Sequence, residues 1–251
     1  MIDVIEHGNV RELRLNRPPA NALSPELVAA IMRTVDVAPK QGARALVLSG
    51  SPGRFCGGLD VPLLLALDKP GMTAMFRDFY SMMGVMAACP VPMVAAITGH
   101  APAGGTVLTL FADYRIVAEG DWKLGLNEVP VGLTLPPAIF LVFRRLLGAH
   151  QAERLAVSGT LISPPEAQRI GLVDEVVSPD KVVCRAVEWC QNMVALPERA
   201  MTATRSQARS DLVKLFEHNF ANELEDVLDM WWDDDTQKVL HSVADRLKKK
   251  S

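Results

Sequence analysis

The sequence predicts an α/β fold, and three observations carry that expectation. Short apolar runs that look like buried strands recur through the first 180 residues, glycine-rich loops follow two of them, and helical periodicity fills the intervals. Strands separated by helices imply right-handed crossovers and a mostly parallel sheet. From Pro179 onward the pattern is helical throughout. The chain is therefore expected to divide into a core over 1–195 and an all-helical region over 196–251. That second part is too small to bury much by itself, so it must pack on the core or on another subunit.

In chain order, Val10 to Leu15 reads as a short strand closed by Asn16–Arg17–Pro18–Pro19. Ser24–Pro25–Glu26 starts a helix: a hydroxyl N-cap, a proline in the first turn, then an acid favourable to the helix dipole. Leu27, Val28, Ile31, Met32 and Val35 share one helical stripe. Arg44 to Ser49 and Met93 to Ile97 have the composition of buried strands. The first runs into Gly50–Ser51–Pro52–Gly53 and Phe55–Cys56–Gly57–Gly58, the second into Gly99 through Gly104–Gly105, and helices are expected after both loops. Near the C-terminus, Pro197–Glu198 begins one helix, Asp211 to Trp232 reads as one long amphipathic stretch, and Thr236 to Lys250 closes the chain. Trp231 and Trp232 must point to different sides of their helix. Either both are core, or one meets a partner chain.

Composition excludes several classes. With 26 Lys+Arg against 29 Asp+Glu and a formal charge of −3, the chain has no broad basic field for nucleic acid. Lys248–Lys249–Lys250 is its only run of three basic residues and reads as a solvated helix end. No apolar run reaches the about 18–20 residues of a membrane span. The N-terminus lacks the pattern of a secretion signal or transit peptide, and the C-terminus does not spell Ser-Lys-Leu, so a cytoplasmic setting is expected. Cys56, Cys89, Cys184 and Cys190 form no Cys-x-x-Cys, and His7, His100, His150, His218 and His241 are scattered, so free thiols and no metal site are expected.

The chain lacks Gly-x-Ser-x-Gly, Gly-x-x-x-x-Gly-Lys, Gly-x-Gly-x-x-Gly and His-Glu-x-x-His. What remains is the pair of glycine loops before helices. Helix-starting amides have no intrahelical acceptor, and glycine lets backbone approach a ligand closely. Two such amides converging on one point make an oxyanion hole; otherwise the loops are merely tight turns.

Phe55–Cys56–Gly57–Gly58–Leu59–Asp60 resembles the Phe-x-Ala-Gly-x-Asp loop of the enoyl-CoA hydratase/isomerase (crotonase) superfamily. Ala95 through Gly105 resembles its second oxyanion loop, followed by Ala112–Asp113–Tyr114–Arg115–Ile116. Asn21–Ala22–Leu23–Ser24 resembles the CoA-side segment, and Gly171 to Val177 the closing strand. The matches fall in family order from about residue 10 to the C-terminus. The resemblance implies a spiral of βαβ turns with a C-terminal helical region, a homotrimer or dimer of trimers, and an acyl-CoA thioester substrate without a separate cofactor. It assigns the Leu59 and Gly104 amides to the thioester oxygen, and Ala22, Cys56, Gly57, Gly58, Leu59, Asp60 and Gly104 to substrate and CoA binding. Gly57 departs from the usual alanine, which could loosen the hole.

The superfamily changes its reaction by changing carboxylates. Its hydratases hold a water between two glutamates, and the position of one of them is Val107 here. The other is present as Glu128 in Leu124–Gly125–Leu126–Asn127–Glu128, a string most similar to that of delta-3, delta-2-enoyl-CoA isomerases, which rely on one glutamate. The resemblance implies a 1,3-proton shift: Glu128 takes the C2 proton of a 3-enoyl-CoA and returns it to C4, within apolar walls supplied by Val107, Leu133 and Leu135. A hydratase or other acyl-CoA lyase, and a non-catalytic acyl-CoA-binding protein, are the alternatives. Read on its own, without the resemblance, Glu128 reads better as a surface carboxylate or one at a helix start. Asp60 and Asp113 read as capping or salt-bridge residues, Asp113 with Arg115. His100 reads as structural or pocket-lining, and Glu119 and Asp121 as solvent-facing.

Overall fold

The computed structural model describes residues 1–217 and 220–248. β1 (Ile2–His7) turns at Gly8 into β2 (Val10–Leu15), antiparallel, with Ile2 opposite Leu15 and His7 opposite Val10. The sequence reading has no strand before Val10. β1 is an edge strand with no buried side chain, so it carries no apolar run to read. After the Pro18–Pro19 turn comes α1 (Pro25–Lys40), where the Ser24 hydroxyl accepts from the Leu27 amide at 3.2 Å. Its stripe of Leu27, Val28, Ile31 and Val35 is buried as expected.

The next three turns of chain repeat one plan. β3 (Ala45–Ser49) is followed by β4 (Gly53–Arg54), then by α2 (Val61–Leu64) and α3 (Lys69–Ala88). β5 (Met93–Ile97) is followed by β6 (Gly99–Pro102) and α4 (Gly104–Leu110). β7 (Tyr114–Ala118) is followed by β8 (Leu124–Gly125), a short 3-10 turn at Val129–Val131, α5 (Pro137–Leu147), α6 (Ala149–Ser158) and α7 (Pro164–Arg169). β9 (Glu175–Val177) then closes the larger sheet. Each turn thus lays one strand into a six-stranded sheet of order β1-β2-β3-β5-β7-β9 and one into a three-stranded sheet of order β4-β6-β8. All pairings after β1–β2 are parallel.

Every residue of β3 and β5 is buried, as a strand covered on both faces requires. Alternate residues serve the two faces. Leu46, Leu48, Met93 and Ala95 join the main core with α1 and α3, while Ala45, Val47, Val94 and Ala96 pack against α8 (Val182–Val194).

The remaining helices are α9 (Glu198–Ala208), α10 (Ser210–Lys214), α11 (Ala221–Trp231) and α12 (Asp234–Lys248). The single stretch expected over Asp211–Trp232 is therefore two helices. Between them Phe216 stacks edge-on to Phe111 at 5.6 Å, and Phe220 lies 4.8 Å from Tyr80 of α3. α10 ends at Lys214 although no proline or glycine marks the place. Trp231 is fully buried against Phe76 of α3 at 6.1 Å, and Trp232 is half-buried on the same core. Of the triple-lysine run, α12 reaches Lys248; Lys249 and Lys250 lie outside the described residues.

Asp113 has partners other than the one expected. It pairs with Arg205 at 2.9 Å and Arg209 at 3.3 Å, and accepts from the Met93 amide at 2.8 Å. Arg115 pairs instead with Asp174 at 3.2 Å. Two residues apart, Asp113 just before β7 and Arg115 within it address different neighbours, one the C-terminal helices and the other the β9 end of the sheet. Arg209 also donates to the Phe111 carbonyl at 2.9 Å.

Candidate active site

The first glycine loop is fixed from both sides. The Phe55 and Cys56 amides donate to the His100 carbonyl at 3.0 and 3.2 Å, and the Gly57 amide to Ala20 at 2.8 Å. Asn21, in the left-handed region at φ 51°, donates from Nδ2 to the carbonyls of Arg54 and Phe55 at 3.3 and 3.0 Å. Leu23 forms a parallel bridge with Leu59: the Leu23 amide donates to Gly58 at 2.7 Å, and the Asp60 amide to Leu23 at 3.1 Å. In this parallel bridge Leu23 uses its own N–H and carbonyl, while Leu59 is engaged through the flanking Gly58 carbonyl and Asp60 amide, so the Leu59 N–H faces the other way. The Leu59 amide is therefore the free one.

The second loop presents the Gly104 amide. Ala103 has φ 47° and ψ −121°, a conformation that costs a residue with a Cβ about 1–3 kcal/mol. Its amide is tied to the Gly125 carbonyl at 2.8 Å. This turn sets Gly104 at the start of α4, where its N–H has no intrahelical acceptor. The loops meet through glycine. A Cβ on Gly104 would stand 2.7 Å from Leu23 Cδ1, and one on Gly105 would collide with the Cys56 carbonyl oxygen.

Leu59 and Gly104 both line one cavity of about 250 Å³, and Glu128 stands on the same wall. The segment carrying Glu128 is pinned to the second loop at Gly125, whose carbonyl holds the Ala103 amide and whose amide donates to Thr106 Oγ1 of α4 at 2.8 Å. Three residues on, the Glu128 carbonyl receives the Val131 and Leu133 amides, each at 3.0 Å. Glu128 Oε2 is buried without a hydrogen-bond partner. Burial raises its carboxyl to about 7, with its own backbone amide pulling weakly the other way. A carboxylate poised there is ionised often enough to accept a proton and retains it well enough to deliver it again.

Of the residues assigned from sequence, Gly57, Leu59, Gly104 and Glu128 line the cavity, as do Val107 and Leu133. Gly58 lies immediately behind, at φ +84°, packed on Ala103. Cys56 is fully buried, its thiol pushed by burial to about 12, so only its backbone is at hand for a ligand. Asp60 caps α2 through the Leu63 amide at 3.2 Å and pairs with Arg17 at 2.7 Å; Arg17 also holds the Ala22 carbonyl at 3.1 Å. Leu135 is not on the cavity wall. His100 is exposed away from it, its Nδ1 accepting from the Lys123 amide at 3.2 Å beside Trp122. Glu119 and Asp121 face solvent.

Sequence reasoning missed Asn127, Phe76 and Phe79 of α3, and the α11 and α12 side chains on the far wall. The phenylalanines read as ordinary core, and no local signal tells a terminal helix which cavity it will roof. Among the described residues, no group of three or more His, Cys, Asp or Glu is placed to hold a metal, and no helix is long and apolar enough to cross a membrane. His218 lies outside those residues. Two amides and one carboxyl near neutrality in an apolar cavity suit proton abstraction beside a carbonyl, with the resulting oxyanion held by the amides.

The family described as enoyl-CoA hydratase/isomerase matches residues 6–250. The enoyl-CoA delta isomerase 1 of Mus musculus, described as mitochondrial, is 29% identical over 250 residues, covering 97% of this chain and 85% of its own. A probable enoyl-CoA hydratase of Mycobacterium avium is 33% identical over 195 residues, covering 77% of this chain and 76% of its own. Among solved structures, human mitochondrial delta3-delta2-enoyl-CoA isomerase superposes with a TM-score of 0.94 at 25% identity, covering 100% of this chain and 99% of that one.

Proposed function

The chain belongs to the enoyl-CoA hydratase/isomerase family and has the crotonase fold, and from that premise we propose that it is an isomerase converting 3-enoyl-CoA to 2-enoyl-CoA. One observation carries the reading. The cavity holds a single carboxylate, Glu128, and the place on α4 where a second would stand is Val107, buried at 1% exposure. A 1,3-proton shift removes one proton and returns one, so one carboxylate suffices. The isomerase relatives from mouse and human support the choice, covering nearly the whole chain.

In the proposed cycle the thioester oxygen accepts from the Leu59 and Gly104 amides, which acidifies C2. Glu128 takes the C2 proton, and the charge of the dienolate rests on the oxygen between the two donors. Glu128, now neutral, protonates C4. The apolar wall, including Val107 and Leu133, keeps bulk water from quenching the dienolate. CoA is part of the substrate, and the scheme needs no further cofactor. The test pairs 3-hexenoyl-CoA isomerisation with crotonyl-CoA hydration, each repeated with Glu128→Gln. Isomerisation that disappears in the variant supports the reading; near-normal turnover in a folded Glu128→Gln protein overturns it.

The working unit in this proposal is a homotrimer or a dimer of trimers. Val129, Leu141 and Val157 support self-association: all three are exposed apolar side chains, carried on the 3-10 turn, α5 and α6, which pack together. Sedimentation of the purified protein is expected to give a trimer or its multiple, and a monomer at micromolar concentration would overturn this part.

A further inference from the structure

The cavity is uneven in its chemistry. The groups that meet the thioester in the proposed cycle come from the two glycine loops and from Glu128, and the only other polar side chains on the wall are Asn127 and the exposed Thr134. Three helices contribute two apolar side chains each: Phe76 and Phe79 of α3, Val227 and Met230 of α11, and Val243 and Leu247 of α12. This helical wall has little room to withdraw. Phe76 and Phe79 are only 4% and 5% exposed, and Trp231, which does not line the cavity, packs edge-on against Phe76. α12 is fastened in its first turn, where Thr236 Oγ1 donates to the Gly132 carbonyl at 2.9 Å. A Cβ on Gly132 would stand 3.3 Å from Thr236 Cα, so the two segments already touch. A wall packed in this way resists even one extra methylene.

We propose that the protein selects acyl-CoA thioesters with a plain hydrocarbon chain of medium length, and that Phe79 and Val243 set the upper limit. The inference rests on the isomerase reading, which places the acyl chain in this cavity. The space is about 250 Å³. A methylene is close to a water in size and takes about 30 Å³, so the cavity holds a chain of about eight carbons. The proton shift involves only C2 to C4, and the remainder of the chain is therefore read by fit alone. Up to the limit, each added methylene exchanges water for apolar wall. Beyond it, the chain must push Phe79 from its rotamer or leave its end in water. A hydroxyl or carboxylate further along the chain would lose its water and meet no partner on the helical wall. Phe79 is the large, buried side chain without the Trp231 contact. Val243 is small and half-buried, so a larger residue there adds bulk without emptying the core.

The experiment measures kcat/KM for 3-hexenoyl-, 3-octenoyl-, 3-decenoyl-, 3-dodecenoyl- and 3-tetradecenoyl-CoA in the wild type, Phe79→Ala and Val243→Phe. Calorimetry measures binding of the saturated acyl-CoAs of the same lengths. The wild type is expected to gain about fourfold per methylene from hexenoyl to octenoyl, and to fall by about tenfold or more from octenoyl to dodecenoyl. Phe79→Ala is expected to raise the dodecenoyl to octenoyl ratio about tenfold, and Val243→Phe to raise the hexenoyl to octenoyl ratio by a similar factor. The two substitutions move the limit in opposite directions, which a general loosening of the fold would not do. Octanoyl-CoA with a terminal hydroxyl is expected to bind about tenfold more weakly than octanoyl-CoA itself. A wild-type kcat/KM that climbs through 3-tetradecenoyl-CoA overturns this inference alone, as do unchanged ratios in both folded variants. A length limit in binding without any isomerisation overturns the isomerase reading and leaves the selection of chain length standing.

Discussion

Glu12 and the Oε2 of Glu128 are both shut away from solvent, yet the molecule treats the two carboxyls in opposite ways. Glu12 lies on β2 with its side chain wholly buried, and it accepts from Ser49 Oγ at 2.7 Å, from His7 at 2.9 Å and from Arg14 Nε at 2.9 Å. Burial alone would raise its carboxyl, but the hydrogen bonds from Ser49, His7 and Arg14 outweigh it, and the net position is below the ordinary carboxylate value. Glu128 receives no side-chain donor, and burial carries it to about 7. Enclosure therefore does not make a carboxyl reactive; enclosure without donors does. The first glutamate ties β1, β2 and β3 together, and the second is left to face the cavity without a side-chain donor.

The largest expected effect separates the two by turnover. Glu128→Gln should lower isomerisation by about 10²–10⁴-fold, the usual share of a general acid–base group. Glu12→Gln should leave kcat unchanged at temperatures well below melting, and a turnover loss there would break the comparison. The wild-type pH profile should show kcat/KM falling as pH drops through about 7, because the base must begin ionised.

Stability should invert the order. Because the folded carboxyl of Glu128 lies at about 7, above its ordinary 4.5, its favourable contribution is complete below 4.5 and is lost as pH rises through 7. Urea unfolding at pH 8 should therefore find Glu128→Gln more stable than the wild type, by at most about 3 kcal/mol, with no gain near pH 4. Glu12→Gln should instead cost about 1–3 kcal/mol at neutral pH, as a disrupted buried network does. For Glu12 the sign is opposite: its contribution is present above the ordinary value and lost as pH falls through its lowered folded one, so this deficit should shrink in acid. Ser49→Ala, which deletes one of several donors, should cost about 1 kcal/mol in the same assay.

The sequence shows why one member of this pair was legible and the other was not. Glu128 is legible only through the resemblance of its Gly-Leu-Asn-Glu string to that of the family's isomerases. Asn127 stands in the same string but went unread, because an asparagine in a loop has many ordinary explanations. Glu12 was also missed: its donors come from β1, β2 and β3, up to 37 positions away. Strands β2, β3 and β5 and helix α1 were readable because apolar period and capping are local signals. The end of α10 at Lys214 and the pairing of Asp113 were not, because both depend on where distant side chains come to rest. The amides of Leu59 and Gly104 could be placed only by resemblance, since no side chain marks a backbone donor.

Asp113 carries a consequence for how the cavity is kept closed. The helices of its far wall, α11 and α12, come after α9 and α10 in the chain, and α9 and α10 are moored to the sheet through Arg205 and Arg209 on this one carboxylate. The same carboxylate holds the Met93 amide at the head of β5, the strand that leads into the second glycine loop. Roof and floor thus share a keystone that touches neither, and a change there would reach the chemistry through architecture alone.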